Sequence, residues 1–158
     1  VLTHTHAGVD ALRRRMKKFG VANDHVVVRT IDSWSYDLIA HFPSLAGLDV
    51  SGGPDWSKSA EYHRAAARTA TSRAVGKMLK VSYTHLFIDE YQDCLVDQHE
   101  LVLALAMTVP TAVFGDPLQS LFNFSNNRRV VGSNPTGGAE QRPLHRPCRC
   151  GGFFVPGG

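Results

Sequence analysis

The stretch His85–Cys94, "HLFIDEYQDC", decides how the rest of this sequence is read. Leu86, Phe87 and Ile88 form a short apolar run that passes directly into Asp89, Glu90, Gln92 and Asp93. A buried strand that ends in carboxylates and an amide is unfavourable unless something at its end requires negative charge. Adjacent residues at a strand exit point in roughly opposite directions. One carboxylate can therefore face a metal while its neighbour faces a water. The bland alternative is an acidic loop that caps the following helix, which would suffice for a bare "DE" but explains "DEYQD" after an apolar strand less well.

Reading outward, a second apolar run, "TAVFGDPLQSLFNF" (Thr111–Phe124), also ends in polar residues. Gly115 permits a tight turn, and Asp116 and Gln119 follow it. Between these runs the residues from about Asp97 to Met107 suit a helix. Upstream, Ala7–Phe19 places Val9, Leu12, Met16 and Phe19 at helical spacing. "HVVVRT" (His25–Thr30) is β-branched and predicts a buried strand. Asp32–Phe42 predicts a helix closed by Pro43, and "SLAGLDVSGGPDW" carries loop punctuation. Lys58–Lys80, rich in Ala, Arg and Lys, predicts one helix. With Val1–Thr3 as an opening strand, the order predicts a mostly parallel sheet flanked by helices. In such sheets ligands gather at the carboxyl ends of the strands, where every polar cluster named here falls.

Composition sets bounds. The 158 residues suffice for one domain with a core, and the formal charge of +3 is too small to prove an anionic partner. The cations are unevenly placed, in "RRRMKK" (Arg13–Lys18) and between Lys58 and Lys80. No apolar run reaches membrane-spanning length, and no signal-peptide pattern is present. Three cysteines without framework spacing fit a reducing cytoplasm. "HRPCRC" (His145–Cys150) offers three potential ligands, but not at the spacings of a zinc motif. The opening "VLT", an apolar run already in progress without an initiator Met, is expected to be a cut at or inside a strand. From Gly132 the chain is dominated by Gly, Pro and Arg. Residues 132–158 are expected to be disordered or non-native.

Taken together, these motifs resemble the UvrD/Rep-like helicases of superfamily 1. "LFIDEYQDC" looks like helicase motif II and "FGDPLQSLFNF" like motif III. "VLTHTHAGVDALRRRM" resembles motif Ia, and "VVVRTIDSWSYDLI" resembles the motif before the 1B insertion. The four occur in family order over residues 1–124. The resemblance implies a RecA-like P-loop NTPase fold, here a partial domain 1A over 1–131, with a small 1B-like insertion at about 43–82. It implies ATP and Mg²⁺ as cofactors and single-stranded DNA and duplex junctions as partners, with no membrane.

Residue by residue, Asp89 would be the Mg²⁺ ligand, Glu90 the catalytic base and Gln119 the γ-phosphate sensor. Gln92, Gly115 and Asp116 would belong to the nucleotide-binding network. Thr5, His6, Thr30, Ser33, Trp34, Phe122 and Phe124 would lie along the single-strand path. For Trp34 and the two phenylalanines, core packing is the alternative. The sequence departs from the family at His6 and Ala7, where Asn and Lys are usual. Asp32 stands where His is common, and Ser125–Asn126 where Arg-Gly is expected.

No intact G-x-x-x-x-G-K-[ST] loop occurs in the chain. "GGPDWSKS" (Gly52–Ser59) comes within one residue of it. No apolar strand precedes that stretch, however, and Pro54 and Trp56 are poor residues for wrapping a phosphate. In the family the true loop precedes motif Ia, so the first strand and its loop would lie before Val1. The resemblance thus predicts part of a 3′-to-5′ ATP-dependent DNA helicase, inactive alone without that loop and the second RecA-like domain. The alternatives are a non-catalytic nucleic-acid-binding or regulatory module on the same sheet, and a helicase–nuclease fusion whose further domains lie elsewhere.

Overall fold

Alternating short apolar runs and amphipathic stretches fold into one sheet in a computed structural model, which describes residues 1–22, 26–116 and 153–155. The chain runs through β1 (Leu2–Thr3), α1 (His6–Lys18), β2 (Arg29–Thr30), α2 (Ile31–His41) and the short α3 (Pro43–Ala46). It continues through α4 (Ser59–Ala70), α5 (Arg73–Ser82), β3 (Leu86–Ile88), α6 (Val96–Ala106), β4 (Thr111–Val113) and β5 (Phe153–Val155). The strand order is β2-β1-β3-β4-β5. The first four strands are parallel, with Leu2 opposite both Arg29 and Ile88 and Ile88 opposite Val113.

This order contains a reversal. From β1 the chain crosses to β2 on one side, while β3 and β4 follow on the other. The carboxyl ends of β1 and β3 therefore flank a topological switch point, where an open parallel sheet presents a crevice.

One layer supplies the core. Ile88 and Leu2 on the sheet pack with Ile31 and Ile39 of α2, Ala65, Ala66 and Ala70 of α4, Leu79 of α5, and Leu101 and Leu105 of α6. The three alanines of α4 are fully buried, and their small side chains let that helix lie close against both α2 and α6.

Three sequence expectations are corrected. Lys58–Lys80 is two helices, because Ser72 accepts a hydrogen bond from the Val75 N–H (3.3 Å) and starts α5 afresh. Just before it, Thr71 donates to the Arg68 carbonyl (2.7 Å); short hydroxyl side chains here compete with the helical ladder. Of the expected strand His25–Thr30, only Arg29–Thr30 joins the ladder. Opposite it β1 offers just Leu2 and Thr3, extended by Arg29 N–H donating to the Val1 carbonyl (3.1 Å). Lastly, Phe153–Val155, inside the segment expected to lack regular structure, pairs antiparallel with β4. A β-prone Phe-Phe-Val run there satisfies the backbone groups that the outer edge of β4 would otherwise expose.

Candidate functional site

The acidic residues at the end of β3 are held by backbone pairing that continues past the strands. Asp89 N–H donates to the Leu2 carbonyl, Phe114 N–H to the Ile88 carbonyl and Tyr91 N–H to the Phe114 carbonyl, each at 2.8 Å. Asp89 is half-buried between the ends of β1 and β4, while Glu90 is exposed. Glu90 takes a left-handed backbone (φ 54°, ψ 42°), unusual for a residue with a long side chain. That conformation turns the chain sharply into the 3₁₀ turn Tyr91–Asp93.

Gln92 is 3% exposed and joins the two strand ends. Its Nε2 donates to Glu90 Oε2 (2.6 Å), and its Oε1 accepts from the Asp116 N–H (3.0 Å). A Cβ on Gly115 would fall well inside contact distance of Gln92 Oε1 and 3.1 Å from the backbone nitrogens of Tyr91 and Gln92. Glycine is needed at 115 because the two strand ends approach that closely. The structure thus brings Asp89, Glu90, Gln92, Gly115 and Asp116 together.

The remaining sequence-derived positions divide. Thr5 caps α1, its Oγ1 accepting from the Gly8 N–H (3.0 Å), and His6 is exposed beside it at the carboxyl end of β1. Thr30 caps α2 from the end of β2. Its Oγ1 accepts from Ser33 N–H (3.1 Å) and pairs with Ser33 Oγ (2.8 Å), so both hydroxyls serve the cap. Trp34 is only 8% exposed and packs in the core. Gln119, Phe122, Phe124 and the His145–Cys150 segment lie outside the described residues.

A neighbouring cluster escaped the sequence reading. His63 of α4, 1% exposed, lies between two carboxylates. Its Nε2 meets Asp32 Oδ1 (2.8 Å) at the start of α2, and its Nδ1 pairs closely with Asp97 Oδ2 at the start of α6. Gln98 Nε2 also donates to Asp32 Oδ1 (3.3 Å). Burial alone pushes the His63 pKa down, but hydrogen bonds to Asp32 and Asp97 outweigh it, leaving the value above the ordinary imidazole range. The His63 hydrogen bond is likewise the main cause that holds Asp32 below the ordinary carboxylate range. A departure from the family pattern at 32 therefore has a local partner that ties three helices together. The available signal was His63 on the same α4 face as Ala66 and Ala70, the face that is buried.

Cys94, buried beneath this site, has its thiol pushed up to about 12, by burial first and by Asp93 second. Burial lowers the His99 pKa, and its Nδ1 pairs closely with the Tyr91 hydroxyl.

A parallel sheet flanked by helices, with its polar residues gathered at carboxyl strand ends, is compatible with the RecA-like α/β class. Within that class, residues 55–129 match the family model of the UvrD/REP helicase N-terminal domain, which supports a UvrD-like helicase fragment. The matched span begins just before α4 and runs through both strand ends of the site. Among curated proteins and solved structures, neither comparison found a match. Among the described residues no helix is long and apolar enough to cross a membrane.

Proposed function

We propose that this chain carries part of the ATP site of an ATP-dependent DNA helicase, in which hydrolysis drives movement along single-stranded DNA and opening of duplex junctions. The observation that carries the reading is the Gln92 bridge, which ties Glu90 at the end of β3 to Asp116 at the end of β4. Two strand ends locked together beside the switch point between β1 and β3 make a rigid floor for a ligand that needs negative charge beside it.

The residues present fit Mg²⁺ held jointly with nucleotide phosphates. Magnesium commonly takes one or two carboxylates and completes its shell with phosphate oxygens and water. Asp89 supplies one such half-buried carboxylate. Among the described residues no cluster of three or more His, Cys, Asp or Glu is arranged to hold a metal without such help. When bound, the ion would neutralise charge on the transferring phosphoryl group. Glu90 would accept a proton from the attacking water, with Gln92 Nε2 fixing the carboxylate's orientation. Gln119 would sense the terminal phosphate. Thr5, His6, Thr30, Ser33 and Trp34, at or just after the carboxyl ends of β1 and β2, would lie along the DNA path, with Phe122 and Phe124 near its bases.

The chain contains no phosphate-gripping G-x-x-x-x-G-K-[ST] sequence, so the purified 158-residue protein is expected to hydrolyse ATP no faster than buffer. DNA-stimulated turnover by it would refute that. A second readout needs no activity. Mn²⁺ with ATP should broaden the amide resonances of Asp89–Gln92 and Asp116, and Asp89→Asn should abolish the effect. Unchanged broadening in the variant, or broadening elsewhere, would overturn the assignment of Asp89.

A further inference from the structure

Three strand exits at the carboxyl pole converge on one buried ring. His63, on the α4 face that packs against α2 and α6, meets Asp32 through Nε2 (2.8 Å) and Asp97 through Nδ1. Asp32 lies in the first turn of α2, entered directly from β2. Asp97 lies in the first turn of α6, which follows the Tyr91–Asp93 turn leaving β3. His4, just after β1, helps hold Asp32 ionised and meets Cys94 Sγ (3.6 Å).

A neutral imidazole has a single N–H, so it cannot donate to two carboxylates at once. Each acid also sits at a helix N-terminus, where the helix dipole favours the ionised form. The arrangement is satisfied when His63 is an imidazolium, in keeping with its raised pKa. Among the described residues, the other elements touching α4 bring no competing charge to the ring. Pro43–Ala46 has no titratable residue, Lys58 pairs with Asp55, and Arg73, Lys77 and Lys80 of α5 are exposed.

A hydrogen-bonded path leads from this cluster to the catalytic loop of the proposed site. Gln98 Nε2 donates to Asp32 Oδ1 (3.3 Å), and its Oε1 accepts from the Leu95 N–H (3.0 Å). Cys94 N–H then donates to the Tyr91 carbonyl (3.1 Å) and Asp93 N–H to the Glu90 carbonyl (2.9 Å). A buried ion cluster returns little net stability, because desolvation offsets attraction, but removing one charge leaves the others unanswered. Asp32 is itself a departure from the family pattern, so the bridge belongs to this chain rather than to that pattern.

We propose that His63 is a positioning residue for the carboxyl-pole site. As an imidazolium it holds the first turns of α2 and α6 together, which sets the exits of β2 and β3 relative to each other. Loss of its proton leaves a ring lone pair against one carboxylate, and the two exits separate. The role rests on the reading of that pole as the ATP site.

The test follows the full chain by ¹H–¹⁵N NMR from about pH 5 to 9, a range spanning the ordinary imidazole value. Both ring nitrogens of His63 should be protonated at the acid end. The backbone amides of Thr30–Ser33 and of Glu90–Gln98 should titrate with the midpoint of the His63 ring. Asp97→Asn removes one anion and should lower that midpoint by about 1 pH unit or more, and the amides at both exits should follow it. His63→Gln should abolish the shared midpoint, while His4→Gln and His99→Gln, which remove the neighbouring imidazoles, should leave it in place. Far-UV circular dichroism shows whether each variant keeps its helices; if His63→Gln does not, Asp97→Asn decides. A ring midpoint that moves without the amides, or amide titration confined to α4, overturns the proposal. So does a shared midpoint that survives His63→Gln or disappears with either control. These shifts need no nucleotide, so their failure leaves the ATP-site reading to the Mn²⁺ experiment on Asp89, which reports separately.

Discussion

Gly115→Ala is the substitution that most directly probes how the two strand ends are joined. The new methyl group would overlap Gln92 Oε1 and press, at 3.1 Å, on the backbone nitrogens of Tyr91 and Gln92. The backbone cannot yield without breaking the Tyr91 N–H to Phe114 carbonyl bond, so the Gln92 side chain must move. Moving it removes the bonds to Glu90 and Asp116 from a side chain that is 3% exposed. At about 1 kcal/mol for each, with the partly solvated Glu90 bond given no charge bonus, the expected destabilisation is about 2 kcal/mol. Urea unfolding followed by circular dichroism measures it. For an m-value of about 2 kcal/mol/M the midpoint should fall by about 1 M. The double-mutant cycle with Gln92→Ala isolates the cause. Once the Gln92 amide is gone, Gly115→Ala should cost less than about 1 kcal/mol, the residue of the backbone contacts. An unchanged midpoint for Gly115→Ala, or an equal cost in both backgrounds, would refute the close approach as the reason for glycine.

Two further outcomes are expected. The folded pKa of His63 is raised, so its stabilisation is complete below its unfolded value near 6.5 and is lost as pH rises through the folded value. That of Asp32 is lowered, so its contribution is present above about 3.8 and is lost as pH falls through the folded value. The urea midpoint should therefore decline as pH rises from about 6.5 through the folded His63 value, and His63→Gln should remove that decline; an identical pH profile in the variant would count against the cluster. Cys94, with its thiol at about 12 and buried, should resist iodoacetamide at pH 8 in the native chain and react in urea, as read by peptide mass spectrometry. Rapid native alkylation of Cys94 would contradict its placement.

How much of this was legible beforehand depends on whether the signal was local. Helices α1, α2 and α6 and the strands Leu86–Ile88 and Thr111–Val113 followed from periodicity and apolar runs, because those patterns report which face each segment buries. The division of Lys58–Lys80 was missed because helix propensity across that stretch is high. The break rests on two hydroxyl side chains, Thr71 and Ser72, bonding to backbone.

The sequence by itself determined that two strand ends carry acids and an amide, that Gly115 lies in a turn, and that the motifs match the order of a helicase family. It also placed the cations in Arg13–Lys18 and between Lys58 and Lys80. Only the tertiary structure decided that Gln92 is the bridge between Glu90 and Asp116, and that Gly115 is required by close approach. It likewise showed that Asp32 is answered by His63. The physical reason is sequence separation. Asp116 N–H lies 24 residues from Gln92, and Asp32 and Asp97 lie 31 and 34 residues from His63. No local pattern encodes which side chains meet across such distances; the strand order and the packing of α4 between α2 and α6 bring them together.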